Sequence, residues 1–378
     1  MFDFVVAVGL VGWLAVCVVD VRGNVDFDDK HYAVQLQSLV GGSVAYRRQA
    51  LFLEGFSNFK QPGFALVGWL SWWVVRAAGV TERRVELPFD DYQHRQVPPT
   101  VVWLWDTAGV RFFDARGRVV WDWTVIWALA LTTMFAVAGG LVAMMWTLAA
   151  RAGPLFVAPL LLVSSRVFMH NLVGTPLYPT GLAFGLAAGF VWLLLGVAPS
   201  RLRVLAAGVV LGVLVLVRIE AVLFVPCALV LRRRDLVGVF LLGLVPAVVM
   251  QLGYDWLKFG SVWDFPTILA HANRIGLSWV WIRAGVSSLA WVSPLFTLGL
   301  GALLVSGRGP LRVMAFASLA VVVLALVRLP TQIAISPELA YFDVNRYVVL
   351  AYPAGALGLG LLWTGLVRRL TARATATG

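Results

Sequence analysis

Long apolar runs follow one another along almost the whole chain, and they constrain the fold more than any other feature. A transmembrane helix needs about 20 apolar residues to cross a hydrocarbon core of about 30 Å. Of the 378 residues, 60% are hydrophobic and 13% are charged, and the mean hydropathy is +0.86. The sequence predicts an all-α polytopic membrane protein with a single domain over 1–378. The apolar runs cover residues 4–19, 62–79, 124–148, 154–170, 180–198, 204–217, 219–231, 236–253, 286–306, 311–329 and 346–367.

The net charge of +11 is distributed as a topology signal. Short basic clusters occupy alternate gaps between the apolar runs, and short loops rich in Lys and Arg stay in the cytoplasm. Because the positive charge is dispersed in this way, nucleic acid is not an expected partner. The clusters are Arg151; Arg201 and Arg203; Arg232, Arg233 and Arg234; Arg308 and Arg312; and Arg368, Arg369 and Arg373.

If all eleven runs crossed the membrane from an N-terminus in the cytoplasm, Arg151 and every later basic cluster would lie outside. One run that does not cross removes this conflict. We expect residues 62–79 to be the exception, because Trp69, Trp72, Trp73 and Arg76 recur at helical spacing and Trp prefers the headgroup region. This interpretation predicts about ten spans, both termini in the cytoplasm, and an extracytoplasmic loop over 20–123. The alternative places the N-terminus outside, lets 62–79 span, and puts residues 20–61 in the cytoplasm.

Two further segments depart from simple spans. Runs 204–217 and 219–231 are each short of the membrane thickness, so the charges of Arg218 and Glu220 between them would lie below the outer surface. Charges at that depth need a hydrated cavity or a partner, which predicts a funnel open to the outside. Residues 109–123 alternate apolar and polar positions, which predicts a β-hairpin with Gly117 in its turn.

Short motifs after the first run resemble those of a known superfamily. Residues 28–33 read "DDKHYA", residues 60–62 read "KQP", and looser likenesses are "VRIEAVLFVP" (217–226) and "NRYVVLAYP" (345–353). Together they resemble the GT-C superfamily of integral-membrane glycosyltransferases, which includes aminoarabinose transferases and protein O-mannosyltransferases. The resemblance implies a polyprenyl-phosphate-linked sugar donor and a glycan, lipid or protein acceptor. It also implies an active site on the extracytoplasmic face of the cell membrane.

The resemblance makes Asp28 the catalytic candidate, with Asp29 as a second acid. Transfer needs a base that takes the proton of the acceptor hydroxyl, and positive charge that holds the departing phosphate. A carboxylate near the membrane surface meets the first need. The same two acids are also what a helix N-terminus favours, so capping is the alternative role.

The candidate substrate-binding residues combine basic and aromatic side chains. Arg can bind phosphate through a bidentate fork and Lys acts as a point charge. The plainer roles are a snorkelling lysine, an ion pair between the arginine and the acid at the helix turn, and an interfacial anchor at the start of the last span. The set is Lys60, His31, Tyr32, Arg218, Glu220, Arg346 and Tyr347.

No cofactor is expected with certainty. His31 and His170 lack partners at metal-ligand spacing, so a divalent metal stays without support in the sequence. Other classes of function are a transporter or flippase of lipid-linked glycans, a polysaccharide polymerase or ligase built around arginines in a late outer loop, and a noncatalytic scaffold. The absence of duplicated halves counts against a transporter, and the buried charges count against a scaffold.

Overall fold

The computed structural model describes residues 32–33, 35–36, 39–40, 62–80, 84–86, 120–164, 178–195, 200–231, 234–259, 261–262, 273–330 and 344–377. Within these residues the protein is almost entirely helical. The α-helices are α1 Gly63–Ala77, α2 Trp123–Arg151, α3 Val157–Ser164, α4 Thr180–Leu195, α5 Arg201–Val217, α6 Arg234–Phe259, α7 Trp279–Val292, α8 Pro294–Ser306, α9 Pro310–Val327 and α10 Tyr352–Thr377. Two 3₁₀ helices cover Ile219–Val230 and Val348–Ala351.

Local sequence signals account for where several helices begin. Ser200 and Ser278 cap α5 and α7, and their side chains accept hydrogen bonds from the backbone N–H groups of Arg203 and Trp281. Helices α8 and α9 begin with Pro294 and Pro310, a residue type that suits the first helical position because its missing N–H would be unpaired there.

Four helical segments have the length and apolar composition needed to cross a membrane: Thr124–Arg151, Asp235–Leu257, Pro310–Val327 and Val344–Thr375. The pair α7 and α8 would count as a fifth if it formed one bent span. The segment Val344–Thr375, here the C-terminal helix, includes the second 3₁₀ helix and all but the last two residues of α10. These findings agree with an all-α membrane protein, whereas the count of ten spans stays a prediction.

Glycines allow neighbouring helices to pack closely. A Cβ atom on Gly185 of α4 would overlap the backbone of Ala136 on α2, and one on Gly208 of α5 would overlap Phe240 on α6. Gly299 of α8 and Gly358 of α10 face each other in the same way. Small residues at such contacts are typical of membrane helices, where packing rather than water exclusion drives association.

Run 286–306 is not one straight span. The chain breaks at Ser293, and α7 and α8 lie at 97° to each other. Ser293 has φ −131° and ψ 51°, outside the helical region, and Pro294 follows it. Because the residue before a proline is disfavoured in the helical conformation, the break has a local cause.

The interfacial candidate 62–79 forms helix α1, but its tryptophans do not share one face. Trp72 is buried and its indole N–H donates to the Thr124 hydroxyl at 3.1 Å, whereas Trp69 and Trp73 are exposed. The helix is about 22 Å long, shorter than a hydrocarbon core. Its outward tryptophans agree with an interfacial position, which stays a prediction.

Two short antiparallel sheets flank the helices. Strand β1 (Arg84–Glu86) pairs with β2 (Val120–Asp122), and β3 (Asn273–Ile275) pairs with β4 (Arg328–Pro330). Residues 120–122, which belong to the expected hairpin over 109–123, therefore pair with residues 84–86. The predicted turn at Gly117 lies outside the described residues.

Candidate anion-binding site

Four helix ends meet at one end of the bundle, and three arginines lie there. Helix α4 begins at Thr180, α5 ends at Val217, α9 ends at Val327 and the C-terminal helix begins at Val344. Arg218 directly follows α5, Arg328 directly follows α9, and Arg346 lies in the first turn of the C-terminal helix. Each arginine thus lies at the beginning or the end of an apolar helix.

The ring of Tyr347 is the centre of this group. The guanidinium carbons of Arg328, Arg346 and Arg218 lie 4.4, 5.1 and 5.3 Å from the ring centroid. Arg346 also donates a hydrogen bond to the Tyr347 hydroxyl at 3.2 Å. All three distances are within the range of cation–π attraction, which offsets part of the repulsion between the cations. We call Arg218, Arg328, Arg346 and Tyr347 the arginine cluster.

Glu220 is the carboxylate that contacts the cluster among the described residues. Its side chain forms a buried salt bridge with Arg328. The sequence suggested Arg218 as a candidate partner of Glu220, whereas the direct salt bridge of Glu220 is with Arg328. In the described part of the chain, three guanidinium groups therefore lie close to one carboxylate.

Arg218 is the least solvated of the three arginines. It is 7% exposed, and one terminal nitrogen donates to the Thr180 hydroxyl at 3.3 Å. Its Nε atom is buried and makes no hydrogen bond within the part of the chain that the structure describes. A guanidinium has five N–H donors and always carries its charge, so Arg218 retains donors for an anion.

Aromatic rings form one wall of the site. Tyr178 lies below two of the cations, with its ring centroid 5.0 Å from the Arg346 guanidinium and 5.9 Å from that of Arg218. Tyr32 packs edge-on against Tyr178 at 5.9 Å and against Phe64 at 5.3 Å. Tyr32, which follows the first apolar run in sequence, therefore contacts the aromatic wall of the site.

A buried polar network fixes the start of the C-terminal helix. The Ser293 hydroxyl donates to the Asn345 side-chain oxygen at 2.8 Å and lies 2.7 Å from the Tyr352 hydroxyl. The Asn345 amide donates in turn to Ser288. Asn345 is adjacent to Arg346, so the network connects the break between α7 and α8 to the arginine cluster.

Five residues expected from the sequence come together here: Tyr32, Arg218, Glu220, Arg346 and Tyr347. Arg346 and Tyr347 begin the last helix as expected, and both belong to the arginine cluster. The remaining candidates, Asp28, Asp29, His31 and Lys60, lie outside the described residues, and their roles stay predictions. Close to Lys60 in sequence, Gly63 abuts the backbone of Leu216 and Val217 next to Arg218.

Sequence reasoning missed Arg328, Tyr178 and Thr180. Arg328 lies near the end of run 311–329, and a charge inside an apolar run is a signal that could have identified it. Tyr178 and Thr180 flank Pro179 at the start of run 180–198 and carry no comparable signal. Among the described residues, no three His, Cys, Asp or Glu side chains group as metal ligands.

The arrangement is suited to hold an oxyanion at one end of a membrane-helix bundle. Comparison with protein-family models, with curated proteins and with solved structures finds no match. What the chain does must therefore be inferred from the arginine cluster and from the sequence motifs.

Proposed function

We propose that this protein is a membrane glycosyltransferase that moves a sugar from a polyprenyl-phosphate-linked donor to an acceptor on the extracytoplasmic face. The observation that carries the proposal is the grouping of three arginines around one tyrosine ring at one end of helices apolar enough to cross a membrane. Within this group, the buried Nε atom of Arg218 makes no hydrogen bond to the described residues. The phosphate of a lipid-linked sugar is an anion held at the level of the membrane surface. One buried and two half-buried arginines at one end of the bundle suit such a ligand.

The chemistry assigns different tasks to different residues. When the bond between the sugar and the phosphate breaks, negative charge grows on the phosphate oxygen, and the arginines stabilise it. The acceptor hydroxyl bonds to the sugar and loses its proton to a base, for which Asp28 is the candidate. Tyr32 contacts the site through Tyr178, and covalent geometry limits the Cα atoms of Asp28 and Tyr32 to within about 14 Å of each other.

A glycan polymerase or ligase is the second candidate. Arg328 and Arg346 border residues 331–343, so two of the three cluster arginines flank a late connection between predicted spans. Arginines in a late outer loop are the pattern expected of that class. Such an enzyme would take a glycan linked through a lipid diphosphate, which the same cluster would hold.

Binding of a lipid phosphate to the protein in vesicles tests the proposal. Arg218→Gln removes one charged donor, so we expect affinity for polyprenyl phosphate to fall roughly 10- to 100-fold. Arg312→Gln is the matched control, because Arg312 is an exposed arginine at the start of α9. Equal affinity in the two variants would contradict the proposal.

Turnover then separates the two candidate reactions. Transfer from a polyprenyl-phosphate-linked monosaccharide is expected of the glycosyltransferase, and transfer only from a diphosphate-linked oligosaccharide is expected of the polymerase or ligase. Binding of the lipid phosphate with no transfer from either donor would favour a transporter.

A further inference from the structure

Helix α7 runs across the bundle. Helix α8 lies alongside α10 in the same direction, because Phe296 stacks on Tyr352 at 4.7 Å and, further along both helices, Gly299 faces Gly355 and Leu303 faces Gly358. Helix α10 belongs to a segment long and apolar enough to span a membrane. Since α7 lies at 97° to α8, it is nearly perpendicular to that segment.

One face of α7 is fastened to the end of the bundle that carries the arginine cluster. Trp281 is fully buried, and its indole N–H donates to the carbonyl of Ala325 at 3.2 Å. Gly285 packs against Leu326 and against Val344. These contacts hold α7 over the end of α9 and the start of the C-terminal helix, at the level of Arg328 and Arg346.

The opposite face of α7 is apolar and exposed. Trp279 is 75% exposed and Trp291 is 81% exposed, and Val286 lies exposed between them. Arg283 is also exposed, and the helix contains no acidic residue. On a protein surface that faces water, two largely exposed tryptophans on one short helix would be unfavourable.

We propose that α7 is an interfacial helix whose outer face lies in the headgroup and acyl-chain boundary of the membrane that this same chain crosses. Tryptophan rings are favoured in that layer, because one edge is polar and the body is apolar. Arg283 can extend toward lipid phosphates while its stem stays among the acyl chains. This assignment replaces the expectation that 286–306 is a single span, and it does not depend on the proposed reaction.

Depth measurements with nitroxide labels test the orientation of α7. In a background with Cys17→Ser and Cys227→Ala, single cysteines replace Trp279, Val286 or Trp291, and each labelled protein is placed in phosphatidylcholine vesicles. Collision rates of the label with oxygen and with a water-soluble nickel chelate report its depth. Val280→Cys and Ala290→Cys, at two further exposed positions of α7, repeat the test without removing a tryptophan.

An in-plane helix gives the same depth at all α7 positions, about 5–10 Å into the boundary layer. Leu298→Cys and Val305→Cys on α8 provide the reference for a crossing helix. The membrane depths of labels at these two exposed positions should differ by about 10 Å. A depth difference near 18 Å between positions 279 and 291 would show that α7 spans, and would overturn the proposal. Full accessibility to the nickel chelate would overturn it as well. Spin–spin broadening between copies would overturn it in favour of a second copy covering this face.

Discussion

Arg218 stands where α5 stops, and its backbone is extended (φ −147°, ψ 108°). The break takes a charged residue out of an apolar helix and places it against Thr180 and two tyrosine rings. Its own N–H still donates to the carbonyl of Leu214 at 2.7 Å, so one of the last carbonyls of α5 keeps its helical partner. A single irregular residue thus accommodates a buried cation at the end of α5.

Breaking the salt bridge between Glu220 and Arg328 should lower stability far more than breaking a surface pair. Glu220→Gln leaves the Arg328 charge in a buried site without this carboxylate, so we expect the free energy of unfolding in mixed micelles to fall by about 3 kcal/mol. Asp235→Asn is the control, because the pair between Arg201 and Asp235 is more exposed, at a distance of 3.5 Å, and should contribute less than about 1 kcal/mol. If both variants lose the same free energy of unfolding, burial does not determine how much each ion pair contributes.

Asp28 is expected to act in turnover rather than in donor binding. Asp28→Asn keeps the size and capping ability of the side chain but removes the charge that accepts a proton. We expect the variant to insert normally, to bind polyprenyl phosphate as the parent does, and to lose most sugar transfer. Near-normal transfer would assign Asp28 to capping and make Asp29 the next candidate.

At the scale of elements, the tight helix pairs depend on glycines that lack a periodic signal. Helices α2 with α4, α5 with α6, and α8 with α10 each meet at small residues. Close approach increases dispersion contact between apolar helices that gain little from water exclusion inside a bilayer.

The pair Gly185 and Gly189 on α4 offers a matched test of this packing. A methyl group on Gly185 would overlap the Ala136 backbone, whereas one on Gly189 would meet nothing within 4 Å. We expect Gly185→Ala to lower the free energy of unfolding by about 2 kcal/mol through overpacking. Gly189→Ala should leave it unchanged or raise it by up to about 1 kcal/mol, because alanine favours helix. Thermal unfolding of both variants in detergent measures the difference, and a neutral Gly185→Ala would show that α2 and α4 separate at low cost.

At the scale of the whole molecule, the arginine cluster, the polar network at Asn345 and helix α7 share one end of the bundle. The basic clusters predict that this end faces outward, since Arg201, Arg312 and Arg368 lie toward the opposite ends of α5, α9 and the C-terminal helix. A lipid-borne anion would then meet the cluster from the outer leaflet.

Cysteine labelling in intact cells tests that orientation. We expect Ser57→Cys and Ala115→Cys to react with an impermeant thiol reagent, because residues 20–123 are predicted to lie outside the cytoplasm. Ser306→Cys, at the end of α8, should react only after permeabilisation. Protection of position 57 with labelling of position 115 would favour the alternative in which 62–79 spans.

The sequence by itself determined the helical membrane class and much of the candidate site. Long apolar runs can satisfy their backbone groups inside a bilayer only as helices or closed barrels, so their length and spacing are informative without any contact being known. Charges next to or within such runs are costly and therefore conspicuous, which is why Arg218, Glu220 and Arg346 could be selected beforehand.

Only the tertiary structure decided how these residues are paired. Glu220 binds Arg328, 108 residues away, rather than its neighbour Arg218, and Tyr178 contacts two cations from separate helix ends. It also decided that Trp72 turns inward and that α7 crosses the bundle. The physical reason is that hydrophobicity places a segment in the membrane without specifying its neighbours. Which helix ends meet depends on close packing between faces that are distant in sequence.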